Sequence, residues 1–326
     1  MIELSDNTTR HPVRLLTIDS GNAGQRIDNF LMTALKGVPK SLVYRLLRTG
    51  QVRVNKGRIR QTYRLQLNDI VRVPPVSVPT EGEQEAPSKG LCNAIRESII
   101  YEDDNLIVID KPSGIAVHGG SGIANGVIEI MRVIRPEEKD LELVHRLDRQ
   151  TSGCLLLAKN RPVLLELHEL LRDNLIDKRY FALVQGYWQD DESTVNFPLL
   201  KDRAESGLRT VKVSKDGQAS TTRFSVKRHF DHRMTLLEAK PLTGRMHQIR
   251  VHAAHSGHPI LGDEVYGKRT LNRELKKQGL KRLFLHAHTL NFMLPSTMKK
   301  ISVSAPLSPE LEEFLNSLEN GSNNEQ

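Results

Sequence analysis

The nine residues His145-Arg146-Leu147-Asp148-Arg149-Gln150-Thr151-Ser152-Gly153 set one carboxylate, Asp148, among basic and small polar residues just before the apolar run Cys154-Leu155-Leu156-Leu157-Ala158. Most loop aspartates only accept hydrogen bonds from nearby backbone amides. Here Arg146 precedes the acid and Thr151-Ser152-Gly153 follows it, supplying charge, hydroxyls and a flexible backbone, so the acid reads as poised to act on a ligand. A second group, Gly244-Arg245-Met246-His247-Gln248-Ile249-Arg250, places two arginines five apart with His and Gln between them. A guanidinium fork can orient a carboxylate and keep it ionised as a nucleophile or base, although an ordinary structural ion pair has the same pattern. A third group, Lys178-Arg179-Tyr180-Phe181-Ala182-Leu183-Val184, alternates as a strand does, so Tyr180 and Ala182 share a face. Tyr180 is then either a core ring or a surface on which a base stacks, its hydroxyl near a transferring proton.

Rival chemistries find weaker patterns. Twelve histidines include His247, His252, His255 and His258, and the pair His286 and His288, but no HExxH or Cys/His finger spacing occurs. Cys92 and Cys154 have neither metal-site spacing nor the numbers for a disulfide framework and read as separate reduced thiols. Gly119-Gly120-Ser121-Gly122 falls short of a nucleophile elbow because Ile123 stands where the motif needs glycine. A phosphate-binding GxxxxGK[ST] loop is missing from the sequence. The expectation is chemistry with no metal and no cofactor.

The elements that must hold these groups fall into two parts. A chain of 326 residues is long enough for two domains, the larger with a substantial core, and 38% hydrophobic residues with both charge signs well represented indicate a globular chain. No stretch approaches the roughly 18 consecutive apolar residues of a spanning helix, and the expected location is the cytoplasm. All of the formal net charge of +8 sits at one end: residues 1–80 hold 13 Lys and Arg against 5 Asp and Glu, while the rest holds 34 of each. Between Asp28 and Asp69 come Lys36, Lys40, Arg45, Arg48, Arg53, Lys56, Arg58, Arg60 and Arg64 with no carboxylate among them. Any one of these belongs to a solvated face, but nine without counter-charge on a folded module repel one another unless a polyanion neutralises them. A membrane surface would favour a basic amphipathic helix, whereas these residues run on through strands and turns.

Around them, Ile27, Phe30, Leu31 and Leu35 have helical spacing, as do Leu42, Val43, Leu46 and Leu47 before Gly50. Val52 and Val54 alternate, Asn55-Lys56-Gly57 is a turn, and Ile70-Val71-Arg72-Val73 closes as a strand. Pro74, Pro75, Pro79 and Pro87 then mark a linker. Beyond it, short strands interrupted by helices at Pro162–Arg172 and around Arg245–His255 suggest an α+β domain on a mixed, mostly antiparallel sheet with flanking helices.

The combination resembles the RluA-type family of RNA pseudouridine synthases and, with its N-terminal S4-like module, the RluC-type members that act on the ribosomal large subunit. The S4-like match covers GQRIDNFL, the helix ending at Gly50, and QVRVNKGRIR; the catalytic match covers KPSGIAVHGG, HRLDRQTSG, KRYFAL, GRMHQIRVH, HPILGDEVYG and LFLHAH. Met246 departs from the Thr or Ser more usual there. The resemblance implies that Asp148 is the catalytic aspartate, Arg250 its ion-pair partner and Tyr180 the aromatic against the target uracil. It implies that Arg146 enters the RNA stack as the base leaves, and that Leu285 walls the uracil pocket.

The organisation expected is an N-terminal tail at 1–19, an S4-like RNA-binding domain at 20–77, a Pro-rich linker at 78–95, a catalytic domain at 96–316 and a C-terminal tail at 317–326. Lys40, Arg45, Arg48, Arg53, Lys56, Arg58 and Arg60 are expected to bind RNA. The function expected is isomerisation of uridines in large-subunit ribosomal RNA by a monomer that uses base flipping, with no membrane partner. A non-catalytic RNA-binding assembly factor on the same scaffold is the alternative, set against by the intact set of Asp148, Tyr180 and Arg250; a metal-dependent RNA hydrolase would show chelator-sensitive cleavage.

Overall fold

The computed structural model describes residues 8–35, 38, 40–79, 86–119, 125–203 and 209–322. The chain divides into two compact units, Met1–Glu85 and Ala86–Gln326.

The first unit contains β1 (Thr8–His11), β2 (Arg14–Thr17), α1 (Ile27–Ala34), α2 (Lys40–Arg48), β3 (Arg53–Val54), β4 (Ile70–Val73) and β5 (Val76–Pro79). Strands β2, β4 and β3 form an antiparallel sheet in that order, and β1 pairs with β5. Ile27, Phe30 and Leu31 from α1 share one apolar core with Val43, Leu46 and Leu47 from α2 and with Val52, Val54 and Val71. Beyond β3, Asn55 and Lys56 both adopt left-handed backbone (φ 50° and 68°), and Val54 and Gly57 exchange backbone hydrogen bonds. The reversal leaves Lys56 exposed at its tip.

The two acids that bracket the basic stretch are spent inside the unit. Asp28 is buried against Arg26 (2.7 Å) and the Tyr44 hydroxyl (3.2 Å). Asp69 accepts from the Asn55 amide (2.8 Å), the Tyr63 hydroxyl (3.0 Å) and the Gln66 backbone (2.8 Å). Neither is left to neutralise the exposed arginines.

The second unit contains α3 (Lys89–Glu97), β6 (Ile99–Glu102), β7 (Leu106–Lys111), α4 (Val127–Ile134), β8 (Glu142–Leu143), β9 (Ser152–Ala158), α5 (Arg161–Arg172), β10 (Asp177–Gln185), β11 (Glu192–Val195), β12 (Leu199–Arg203), β13 (Arg209–Val213), β14 (Thr222–Phe230), β15 (Met234–Pro241), α6 (Gln248–His255), α7 (Arg269–Lys277), β16 (Leu285–Leu294), β17 (Lys299–Ser304) and α8 (Pro309–Ser322). Its main sheet runs β11-β14-β15-β10-β16-β9-β7-β6, with β17 added to β16 and β8 to β9. Every pairing in it is antiparallel except β9 with β16, so the α+β architecture with a mostly antiparallel sheet holds.

β9 is buried along its whole length. Leu155 and Leu157 face a core shared with α4, and Cys154, Leu156 and Ala158 face one shared with α5. A strand covered on both faces needs apolar residues at every position, which is why its sequence does not alternate.

Three stretches differ from the expected boundaries. Residues 8–17 form β1 and β2 instead of a bare tail. Residues 89–95, expected within the linker, belong to α3: the Ser88 hydroxyl accepts from the Leu91 backbone (3.3 Å), and Ile95 is fully buried in the second unit's core. At the other end α8 continues to Ser322, into the stretch 317–326 expected to be a tail. Part of the proline-rich stretch and the Gly120–Gly122 portion of the glycine-rich segment lie outside the described residues.

Candidate active site

Asp148 lies in the loop between β8 and β9, on a segment tied down from several sides. The Arg149 carbonyl accepts from Gly114 N (2.8 Å) and from Lys111 Nζ (3.2 Å), and the Arg149 side chain donates back to the Gly114 carbonyl (2.7 Å). The Ser113 hydroxyl donates to the Gln150 carbonyl (2.8 Å). Lys111 is fully buried and spends its other two ammonium protons on the carbonyls of Pro112 and Ile115. The KPSG segment is thus a clamp on the loop that carries the acid.

Gly153 fixes where that loop enters the sheet. It pairs with Ala287 across the parallel β9–β16 contact, at φ 104°, and a Cβ there would come within 2.2 Å of the Ala287 carbonyl oxygen. What the sequence suggested as flexibility is a close backbone approach that only glycine permits. Ser152 is also used differently from the expectation. Its hydroxyl accepts from Arg282 (2.6 Å) and bonds to His286 Nδ1 (2.8 Å), beneath the site rather than in it.

Tyr180 comes from β10, opposite Ala287, at a register shift between Arg179 and Tyr180; such an irregularity bends a strand and re-aims its side chains. Leu285 begins β16, opposite Ala182. Burial, then the nearby Asp148 charge, raises the pKa of the Tyr180 phenol, which stays protonated. Asp148, Tyr180, Leu285, Arg146 and Arg250 all line one open cleft of about 740 Å³, within the size range that holds small ligands.

Arg250 is on α6 and its Nη1 stands 3.4 Å from Asp148 Oδ2. Its fork, however, is engaged elsewhere: Nε meets Asp263 Oδ2 at 2.7 Å and Nη2 meets Asp263 Oδ1 at 2.8 Å. The bidentate partner is therefore Asp263, and Asp148 receives the remaining nitrogen. Burial would raise the Asp263 pKa, but the Arg250 guanidinium and the amides of Val265 and Tyr266 more than offset it and hold the carboxyl below its usual range. Tyr266 completes this turn with its ring 5.0 Å from the Arg250 guanidinium carbon.

Asp263 and Tyr266 were not assigned from the sequence. The signal available was their position in HPILGDEVYG, where an acid and a tyrosine follow a glycine; nothing local shows that they face Arg250.

Within GRMHQIR, Gln248 locks the entry to α6. Its oxygen accepts from Thr243 (2.7 Å) and Arg245 N (3.0 Å), and its amide donates to the Thr221 carbonyl (2.9 Å) and the Thr222 hydroxyl (3.0 Å). Arg245 is exposed on the rim of the cleft with Arg172 and Lys201, and the half-buried Lys178 also lines it. Asp148 and Asp216 are the acids in that lining, so a polyanion meets an attractive entrance.

Four of the histidines have structural roles. The ring of His145 accepts from Leu156 N (3.1 Å), and burial pushes its pKa down to about 4. His252 bonds Ser220, Thr222 and the Phe197 carbonyl. His286 bonds Ser152 and the Ala305 carbonyl, and His258 the Gln185 carbonyl. Among the described residues no group of three or more His, Cys, Asp or Glu is placed to hold a metal ion.

In the first unit Arg45, Arg48, Arg53, Lys56, Arg58 and Arg60 are exposed. Among the described residues none of the six pairs with a carboxylate; Arg53 reaches only the carbonyls of Gly50 and Lys56. The Lys40 side chain lies outside the described residues. No helix among the described residues is long and apolar enough to cross a membrane.

An acid beside a guanidinium and a tyrosine, in a cleft with a cationic rim, suits a nucleophilic enzyme acting on nucleic acid. Comparison with known proteins gives an enzyme acting on RNA. The family model for RNA pseudouridylate synthases matches residues 105–255, and that for the S4 domain matches residues 25–71. The solved structure of human RNA pseudouridylate synthase domain containing 4 is similar at a TM-score of 0.59 and 26% identity, covering 71% of this chain and 96% of that one.

The chain is 52% identical over 309 residues to ribosomal large subunit pseudouridine synthase C of Pasteurella multocida, covering 94% of each protein. Its Escherichia coli K12 counterpart is 51% identical over 312 residues, 94% of this chain and 97% of that protein. The chain belongs to the RNA pseudouridine synthase family and is an isomerase.

Proposed function

We propose that this chain converts uridine to pseudouridine in large-subunit ribosomal RNA, as a cytoplasmic monomer, with Asp148 as the nucleophile. The names of the relatives support the choice of RNA. The observation that carries the reading of the site is the meeting, in one cleft, of Asp148 with Arg250 at 3.4 Å and with the buried ring of Tyr180.

Uridine and pseudouridine are isomers. The C1′–N1 bond breaks, a C1′–C5 bond forms, the proton on C5 leaves and N1 gains one. The Asp148 carboxylate supplies the nucleophile, whether at C1′ of the ribose or at C6 of the base, and is released unchanged. Either route needs the carboxylate oriented, the uracil stacked while it turns, and the base outside the RNA stack. Arg250 serves the first need, Tyr180 with Leu285 the second, and Arg146 at the cleft mouth the third, filling the gap left by the flipped base and so offsetting part of the few kcal/mol, roughly, that flipping costs. Arg45, Arg48, Arg53, Lys56, Arg58 and Arg60, with Lys40 by its sequence position, hold the phosphate backbone.

Asp148→Asn tests this directly. Pseudouridine formation on an rRNA fragment should vanish while RNA affinity stays within about three-fold, because an uncharged isostere leaves the phosphate contacts intact. Turnover retained by the variant would refute the assignment and return the chain to the role of a binding factor.

A further inference from the structure

We propose that Tyr266 and His247 act as a positioning pair that anchors one oxygen of Asp148 and leaves the other free to react. The proposal rests on the reading of Asp148 as the nucleophile. Among the described residues two cationic or imidazole nitrogens come within 4 Å of the carboxyl, Arg250 Nη1 at 3.4 Å and His247 Nε2 at 3.8 Å, and both address the same atom, Oδ2. Among the described residues, Oδ1 accepts no hydrogen bond. The two oxygens of one carboxylate are therefore made unequal.

His247 is the residue before α6 and has left-handed backbone, φ 54° and ψ 19°. Residues other than glycine rarely adopt that conformation, and when they do, the surrounding structure holds them there. Here the conformation turns the imidazole back from the helix axis towards the cleft.

Tyr266 decides which ring nitrogen carries the proton. The Val211 backbone N–H donates to the Tyr266 oxygen at 2.9 Å, and that oxygen lies 2.8 Å from His247 Nδ1. A phenol has one proton. With its oxygen already accepting from Val211, the arrangement that leaves no proton unpaired has Tyr266 donating to Nδ1, so that a neutral ring carries its proton on Nε2. That tautomer aims an N–H at Asp148 Oδ2, whereas the other would aim a lone pair at a carboxylate.

The ring faces Asp148 and Arg146 from the loop before β9, Arg250 from α6, and Asp263 and Tyr266 from the turn before α7. Burial lowers the His247 pKa and outweighs the opposing pull of Asp148, which keeps the ring neutral. Asp263 supports both groups, gripping Arg250 while its Oδ1 accepts from Tyr266 N (3.0 Å). One turn thus sets the orientation of the guanidinium and the tautomer of the imidazole.

The test separates the ring's N–H from its backbone conformation. His247→Gln can place an N–H near the position of Nε2 but tolerates left-handed backbone poorly; His247→Asn suits the backbone but is too short to reach Asp148. Single-turnover pseudouridine formation should be better kept by Gln than by Asn, with KM the same in both. Tyr266→Phe, which keeps the ring against Arg250, should lower kcat about five- to tenfold, the scale of one lost hydrogen bond. It should also move the acid limb of the kcat profile to higher pH, because without the donor to Nδ1 the imidazole takes up a proton more readily, and the cation then offsets the Asp148 charge at 3.8 Å. Asn outperforming Gln, or wild-type kcat and pH profile in Tyr266→Phe, would overturn the proposal. Asp148→Asn run alongside distinguishes the failures: if it is inactive, such results overturn the positioning pair alone, and if it is active, the reading beneath falls first.

Discussion

Asp263→Asn, a change of one atom, should disable a residue that the cleft does not expose. Arg250 is 7% exposed and Asp263 1%, and four hydrogen bonds converge on the acid: Arg250 Nε on Oδ2, and Arg250 Nη2, Val265 N and Tyr266 N on Oδ1. An asparagine oxygen at Oδ1 keeps the three bonds there. Its NH2 group then stands where Oδ2 was, donor against donor across the 2.7 Å now separating that oxygen from Arg250 Nε.

The variant keeps Arg250's buried charge with one remaining carboxyl, Asp148, at 3.4 Å. Breaking a buried pair from one side costs about 3–5 kcal/mol. For a unit of this size each kcal/mol moves Tm by about 2–4 °C, so the melting of the catalytic unit should fall by roughly 6–20 °C. Because the folded pKa of Asp263 is depressed, its contribution is full above the unfolded carboxyl value and is lost as pH falls through the folded one. The gap between wild type and variant should therefore narrow below about pH 4.

With one of its two bonds to residue 263 turned into a donor–donor clash, the Arg250 fork can swing onto both oxygens of Asp148 and occupy the reacting one. Release of label from C5 of uridine should slow by about tenfold or more at temperatures where the variant is folded, the scale of a lost transition-state contact. A melting point within about 2 °C of wild type together with unchanged turnover would show that Asp263 neither holds the guanidinium nor matters to the acid.

Two further outcomes test other parts of the molecule. Replacing Arg45, Arg48, Arg53 and Arg58 by Gln should reduce the slope of log affinity for an rRNA fragment against log salt by about 0.7–0.9 per phosphate contact removed; an unchanged slope would make this only a solvated face. His286 should titrate near pH 4 by NMR, since burial pushes it down and the Ser152 hydroxyl, which accepts from Arg282, has its own proton free for Nδ1. As pH falls from about 6.5 towards 4 the unfolded state takes up this proton and the folded state does not, so stability declines across that window; a His286 titration near 6.5 would refute the neutral assignment.

Local patterns made much of the architecture legible. Amphipathic spacing showed α1 and α2, the sequence Asn55-Lys56-Gly57 showed the turn, and the unbroken run Cys154–Ala158 showed a strand. The four-residue strands β1 and β2 are too short for alternation to stand out, and α3 was hidden behind proline-rich composition. Asp148, Tyr180 and Arg250 each stood out within their own segments. What those segments lack is information about pairing: Arg250 is 102 residues from Asp148 and 13 from Asp263, and only the fold shows which acid takes the fork. Ser152 and Gly153 were read as polar and flexible because their types permit it, but the β9–β16 contact makes one a buried link and the other a steric necessity.

The division of Arg250 between two acids has an electrostatic consequence that a simple pair would not have. One guanidinium alone with Asp148 would form a neutral unit, with both oxygens drawn into a bidentate grip and the carboxylate weakened as a nucleophile. With Asp263 taking two nitrogens at 2.7 and 2.8 Å, the three charged groups sum to one negative charge, and the longer 3.4 Å contact leaves that charge on Asp148. Asp148 is then oriented without being quenched. In the proposed reaction Asp263 serves as a permanent counter-ion that is never consumed, which is why it can be buried to 1% while Asp148 must keep an open face on the cleft.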